Sequence, residues 1–259
     1  MSLRLQQMRT IILHIGMHKT GTTSIQEAIH QLNHDSIKTL MFDEKNHSIP
    51  FFTMFSGRKF GHPELKQRGL TENEIANKRI KYRKDLNRQL NNKRVNVFLV
   101  SGEDISFLDT QEQFSMCQYF LAKGLNVQVI WVVRDPFQWA VSISQEAAKH
   151  GAKSLSKYNP DYSKRISGFL KAVNRENIFV LKYEEIVQQG FLQTFSQLFG
   201  VQLKHVPILN ESLSAEALTL IFLLNKLALP NIDTAVGLRV KRIMLTNIAS
   251  TLSVNKGYS

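Results

Sequence analysis

The chain is expected to be an α/β protein with a three-layer α/β/α arrangement around a central parallel sheet. Four apolar, β-rich runs recur along it: Thr10–Ile15, Val95–Ser101, Val127–Val133 and Asn177–Lys182. Each precedes an amphipathic segment of helical length, beginning near Thr22, Thr110, Pro136 and Gly190. Strands that alternate with helices build parallel sheets covered on both faces. There are no repeats, low-complexity tracts or Pro/Gly-rich linkers, so residues 1–259 read as one domain.

The first run leads through two glycines into the first helix. Residues 35–70 are the least regular part and read as an insertion covering the sheet edge or the substrate mouth. With the basic helix that follows, they make a lid region over 35–94. In that helix, Ile75, Tyr82, Leu86 and Leu90 fall on one stripe. Asp135–Pro136 is a good helix start, with Asp as cap and Pro at the first helical position. A helix over Tyr162–Val173 precedes the fourth run. From Ser214 the tail reads as two C-terminal helices broken at Pro230.

Hydrophobic residues make up 43% and charged residues 21%, values of a globular protein with a real core. Cys117 is the single cysteine, which suits a reducing compartment. The longest apolar stretch, "ALTLIFLLNKLAL", is interrupted at Asn225 and Lys226 and is too short to span a bilayer. The N-terminus carries no secretory apolar region, and Met8 is a plausible natural start. These features point to a cytoplasmic protein. The formal net charge is +12, and between Arg58 and Arg94 twelve Lys or Arg face four Asp or Glu, a local net of +8. Such a patch attracts anionic polymers, but the same residues also describe a solvated helix face. No aromatic interleaving or zinc spacing points to nucleic acid.

The chemistry-bearing motifs sit at strand ends, where parallel sheets bind ligands. After the first strand comes "GMHKTGTTS", Gly16 to Ser24. Gly16 and Gly21 permit a tight turn, and the amides of Gly21, Thr22 and Thr23 open a helix, an anion site. Lys19 adds a positive charge. In a triphosphate loop the lysine follows the second glycine; here it precedes it. After the third strand, "VVRDPFQWAVSIS" places Arg134 at the strand end and Ser142 eight residues on, a pair able to converge on a second phosphate.

Together these motifs, with "VLKYEEI" at 180–186, make residues 10–200 resemble the sulfotransferase family, whose core is P-loop-like. The resemblance implies 3′-phosphoadenosine 5′-phosphosulfate (PAPS) as donor and adenosine 3′,5′-bisphosphate (PAP) as product, with no metal. It assigns Gly16, Lys19, Thr20, Gly21, Thr22 and Thr23 to the 5′-phosphosulfate. Arg134 and Ser142 go to the 3′-phosphate, and Tyr183 to the adenine. Lys19 would then reach the oxygen bridging phosphorus and sulfur, where charge grows as the bond breaks. The acceptor, a hydroxyl or amine such as one on a saccharide, must lose a proton to a general base. "VSGEDISF" puts Glu103 at the sheet edge, where the resemblance implies a base that is a glutamate in some carbohydrate-directed members of the family and a histidine in the small-molecule members. His18 is the second candidate base, followed by Asp104, His62 and His150. His14 reads as a satisfied core histidine. Ser24 replaces the aromatic residue that many members carry after the loop. Arg239, Lys241 and Arg242 are candidate substitutes for a missing Gly/Lys-rich C-terminal segment. Two other readings are a magnesium-dependent P-loop kinase and a non-catalytic binder of acidic polymers.

Overall fold

Five strands pair in the order β2-β3-β1-β4-β5: β1 (Thr10–His14), β2 (Ile37–Thr39), β3 (Val97–Ser101), β4 (Asn126–Val133) and β5 (Ile178–Lys182). Every pairing is parallel. The computed structural model describes residues 8–154, 158–204 and 215–226. Central β1 runs beside Val97–Ser101 on one side and Asn126–Ile130 on the other, and all five of its residues are buried. A strand buried on both faces needs a continuous apolar run, and "TIILH" supplies one. The chain leaves β1 towards β3 and β2, then returns to β4 and β5. The order therefore reverses beside β1, and ligands of open α/β sheets bind at such a reversal.

The helices are α1 (Thr22–His30), α2 (Ser48–Phe55), α3 (Pro63–Gln67), α4 (Glu72–Leu90), α5 (Thr110–Leu121), α6 (Pro136–Lys149), α7 (Tyr162–Ala172), α8 (Tyr183–Gln189), α9 (Phe191–Phe199) and α10 (Ala215–Lys226). Strand alternation splits the core in two. Ile12, Leu99, Ile130 and Val132 face α1, α8 and α9 through Ile25, Ile29, Ile186, Phe195 and Phe199. Ile11, Leu13, Phe98, Val100 and Val129 face α2, α4, α5 and α7 through Phe51, Tyr82, Phe120 and Phe169. Helices on both sheet faces complete the three layers.

The described residues divide into two compact units. The sheet unit lies within Met1–Asp135 and Asp161–Pro207; the second lies within Pro136–Pro160 and Ile208–Ser259. In the second unit, Asn225 Nδ2 donates to the carbonyls of Ala148 (2.8 Å) and Ala152 (2.7 Å), tying α10 to the end of α6. Among the described residues, no helix is long and apolar enough to cross a membrane.

Two expectations change in detail. The stretch read as irregular, 35–70, supplies edge strand β2 and the buried helix α2. Strand β2 has only three residues, too few for an alternation to register, and α2 ("SIPFFTMF") is apolar all round, which hides the helical period. Helix α8 begins immediately at the end of β5, ahead of the helix anticipated near Gly190. The proposed break at Pro230 and residues Arg239, Lys241 and Arg242 lie outside the described residues.

Helix α4 buries the expected stripe, Ile75, Tyr82, Leu86 and Leu90, and starts with a Thr71–Glu74 capping box. Several of its cations have internal partners. Lys78 and Lys81 meet Asp43 at 3.0 and 3.2 Å, while Arg79 and Arg83 donate to the carbonyls of Thr53 and Met54.

Helices α5 and α7 approach closely at Gly168, whose N–H donates to Gln113 Oε1 at 2.9 Å. A Cβ there would sit 2.3 Å from the Thr110 carbonyl oxygen and 2.4 Å from Gln113 Cβ. Gly168→Ala is therefore expected to destabilise the fold by about 1–3 kcal/mol, the usual cost of overpacking. Urea unfolding checks this; an unchanged midpoint would mean that the two helices separate freely.

Candidate active site

Strand β1 does not stop cleanly at His14. Ile15 and Met17 continue along β4, donating to the carbonyls of Ile130 (2.9 Å) and Val132 (3.0 Å). The chain then turns sharply. Thr20 Oγ1 donates to the Met17 carbonyl at 2.5 Å, Lys19 has φ 66 and Gly21 has φ 74. Left-handed backbone is costly for any residue bearing a Cβ, so Lys19 is a strained position held by its surroundings. Gly21 avoids that cost, and a Cβ at Gly21 would lie 2.5 Å from Phe191. Gly21 is the N-cap of α1, and no side chain caps that helix end. Its carbonyl accepts from Ser24 and Ile25. The first amides and the helix dipole thus face the reversal point of the sheet, an arrangement that attracts anions.

Arg134 follows β4 and reaches this turn. Its Nη1 donates to the Lys19 carbonyl at 3.0 Å, and its guanidinium lies 4.9 Å from the centre of the Tyr183 ring. Glu184 Oε1 stands 3.5 Å from Arg134 Nε. Tyr162 Oη donates to the Arg134 carbonyl at 2.5 Å. The structure therefore brings together Gly16, His18, Lys19, Thr20, Gly21, Thr22, Thr23, Arg134 and Tyr183. Ser142 lies on α6 of the second unit.

The end of β3 forms the other wall. Glu103 opens a 3₁₀ turn, Glu103–Phe107. One of its carboxylate oxygens accepts from Gln26 Nε2 (3.1 Å) and the other from Asn46 Nδ2 (3.3 Å). Asp104 lies between two histidines, with His18 Nε2 at 3.2 Å and His62 Nε2 at 2.8 Å. The clamping of Asp104 by two histidines leaves no signal in the sequence, because His62 is 42 positions from Asp104. His150 follows directly after α6 and is paired with Glu146.

Two further histidines underlie the wall. His14 Nδ1 is 2.8 Å from Ser101 Oγ, but its Nε2 has no hydrogen-bond partner among the described residues. It is thus only half satisfied. Full burial pushes its pKa down to about 3. His47 accepts from the Ser101 amide at Nδ1 (2.8 Å) and so donates from Nε2 to the Leu40 carbonyl (2.7 Å), which fixes its neutral tautomer. Burial lowers its pKa to about 4, opposed by the Leu40 bond.

The sulfotransferase domain model matches residues 9–194, well over half of the sequence. The chain belongs to the sulfotransferase domain family. No curated protein matches it significantly. Among solved structures it is similar to a sulfotransferase from Alicyclobacillus acidocaldarius, at 17% identity and TM-score 0.49, covering 84% of this chain and 92% of that one. The sulfotransferase domain of the Synechococcus PCC 7002 olefin synthase is 15% identical with TM-score 0.42, covering 98% of each chain. Mouse sulfotransferase SULT7A1, solved with PAP, is 13% identical with TM-score 0.34, covering 79% of this chain and 62% of that one. Membership of the family supports sulfuryl transfer as the general activity.

The buried histidines give the fold a defined pH dependence. Unfolded, each titrates near 6.5; folded, each stays neutral to about 3 or 4. Between those values the unfolded chain binds more protons, so stability is full above pH 6.5 and is lost as pH falls. By pH 4 the two contribute roughly 3 kcal/mol of loss each. Urea unfolding at pH 7.5 and 4.5 is expected to show this loss, and His47→Asn is expected to shrink the difference. An equal pH dependence in that variant would remove His47 from the account.

Proposed function

We propose that the chain transfers a sulfuryl group from PAPS to a hydroxyl or amine acceptor and releases PAP. The observation that carries this reading is the hydrogen bond from Arg134 to the Lys19 carbonyl. It joins the residue expected at the 3′-phosphate to the loop expected at the 5′-phosphosulfate. One nucleotide carrying phosphates at both ends would engage both. Gly16, Lys19, Thr20, Gly21, Thr22 and Thr23 would hold the phosphosulfate with loop amides and the α1 dipole. Arg134 would hold the 3′-phosphate, and Tyr183, stacked beneath Arg134, would border the adenine. Lys19 supplies positive charge where the leaving phosphate oxygen develops negative charge. Glu103 and His18 are the candidate bases for the acceptor's proton. The +12 net charge favours an anionic acceptor such as an acidic saccharide.

Calorimetric titration with PAP in the absence of magnesium tests the reading. Wild type is expected to bind, and Arg134→Ala to weaken binding by a hundredfold or more, about 3 kcal/mol, since a charged phosphate contact and the loop brace are lost together. Binding of ATP only with magnesium, and none of PAP, would favour a kinase instead.

A further inference from the structure

Phe107 ends the 3₁₀ turn that carries Glu103 and Asp104 from β3 towards α5. It is 45% exposed, and among the described residues of the sheet unit no other phenylalanine, tyrosine or tryptophan is as open. Single apolar groups are common on protein surfaces. Phe107 differs from those in being held on two sides. The guanidinium of Arg165 lies over the ring, 4.0 Å from its centre. Arg165 is itself buried, with Nη1 donating to Ser106 Oγ at 2.9 Å, and Ser106 Oγ donates to the Glu103 carbonyl at 2.7 Å. The His18 imidazole meets the ring at 78°, with centroids 5.5 Å apart. A ring fixed by its neighbours and still open to water is preorganised for a ligand, because little freedom is lost when one covers it.

The ring also stands at the crevice. Its neighbour His18 directly precedes Lys19, and its own turn begins with Glu103. An acceptor resting on Phe107 would therefore lie beside the expected phosphosulfate and a candidate base together.

The surroundings of the ring narrow what it can hold. The face of a benzene ring is negative and attracts cations. Here a guanidinium already occupies one face and draws the ring electrons towards itself. The open side is left poorer in negative charge, and Lys19 adds a second cation at the loop. Protonated amines are disfavoured by both. A sugar that rests its C–H groups on an aromatic face gains less from such a ring, whereas an electron-rich aromatic ring gains more. The hydroxyl on that kind of ring suits the site as well. It ionises near pH 10, about six units below water, and so asks less of a base. Both oxygens of Glu103 already accept hydrogen bonds, from Gln26 and Asn46, and His18 Nε2 faces Asp104.

We infer that Phe107 is a specificity-determining residue of the acceptor site and that it selects an aryl hydroxyl, a phenol. The inference rests on the sulfuryl-transfer reading above. The positive charge of the whole chain draws anions in general; Phe107 decides which hydroxyl is presented to the sulfur. In the step, the aryl O–H bond breaks and its proton passes to the partly exposed Glu103 carboxylate. The oxygen's electron pair forms the bond to sulfur. The bond from sulfur to the bridging oxygen breaks, and its pair leaves on the 5′-phosphate of PAP.

Turnover of the whole chain with PAPS tests this with 4-methylphenol, with 4-methylcyclohexanol, which has nearly the same shape, and with methyl glucoside. Wild type is expected to sulfate 4-methylphenol with kcat/KM about 100-fold above either of the others. Phe107→Ala is expected to raise KM for 4-methylphenol about tenfold with kcat within about threefold, since an aromatic contact is lost and the reacting groups are untouched. Phe107→Tyr, which keeps the ring, is expected to restore the wild-type KM. Calorimetric PAP affinity is expected to stay within about threefold of wild type in both variants, which separates loss of an acceptor contact from loss of the fold. Methyl glucoside or 4-methylcyclohexanol sulfated as well as 4-methylphenol overturns the inference. So does an unchanged KM in Phe107→Ala, or a KM in Phe107→Tyr raised as far as in the alanine variant. If PAP binds and none of the three acceptors is sulfated, the inference falls alone. If wild type fails to bind PAP at all, the sulfuryl-transfer reading falls and takes this inference with it.

Discussion

The passage from β1 into α1 is the constraint on which the rest of the site depends. Strand β1 is hydrogen-bonded on both edges and buried on both faces, so its chain has one way out, at the carboxyl end. The loop follows β4 for three more residues and must then reverse into a helix within a few positions. Two left-handed residues, Lys19 and Gly21 on either side of Thr20, accomplish it. Strain of this kind persists only where the surroundings over-determine it. Here the surroundings are Arg134 on the Lys19 carbonyl, Thr20 on the Met17 carbonyl and Phe191 against Gly21. The same geometry that strains the chain turns the opening amides of α1 towards the crevice.

A second consequence concerns Arg134. A guanidinium at a strand end would be a flexible reach for phosphate if it stood alone. Held on a backbone carbonyl and an aromatic face, it loses little further freedom on meeting an anion, which favours affinity through preorganisation. Glu184 nearby keeps the site from carrying a bare excess of positive charge. On the other wall, His14 and His47 are kept neutral by burial, so the floor below Ser101 adds no charge of its own near neutral pH. The charges at the crevice then include those of Lys19, Arg134, Glu184, Glu103 and Asp104.

Much of this was legible in the sequence, and the reason is local. Four of the five strands announce themselves as apolar runs, because a strand covered on both faces must be apolar throughout. The loop is legible because glycine, lysine and hydroxyl residues crowd into nine positions between a strand and a helix. Arg134 is legible because it closes a strand of the same sheet. Strand β2 and helix α2 were missed, one too short and the other too uniformly apolar to carry a period.

What the sequence by itself determined is the layered α/β architecture, the family, and the residues at the ends of β1, β3 and β4. These follow from periodicity and from motifs in which the partners are neighbours in the chain. Only the tertiary structure decided that Lys19 is left-handed and bonded to Arg134, 115 residues away. Likewise it alone showed Asp104 between His18 and His62, with Glu103 spent on Gln26 and Asn46. Those contacts join segments that parallel crossovers bring to one sheet edge. Their strength comes from distance and burial in space, which spacing along a chain does not encode.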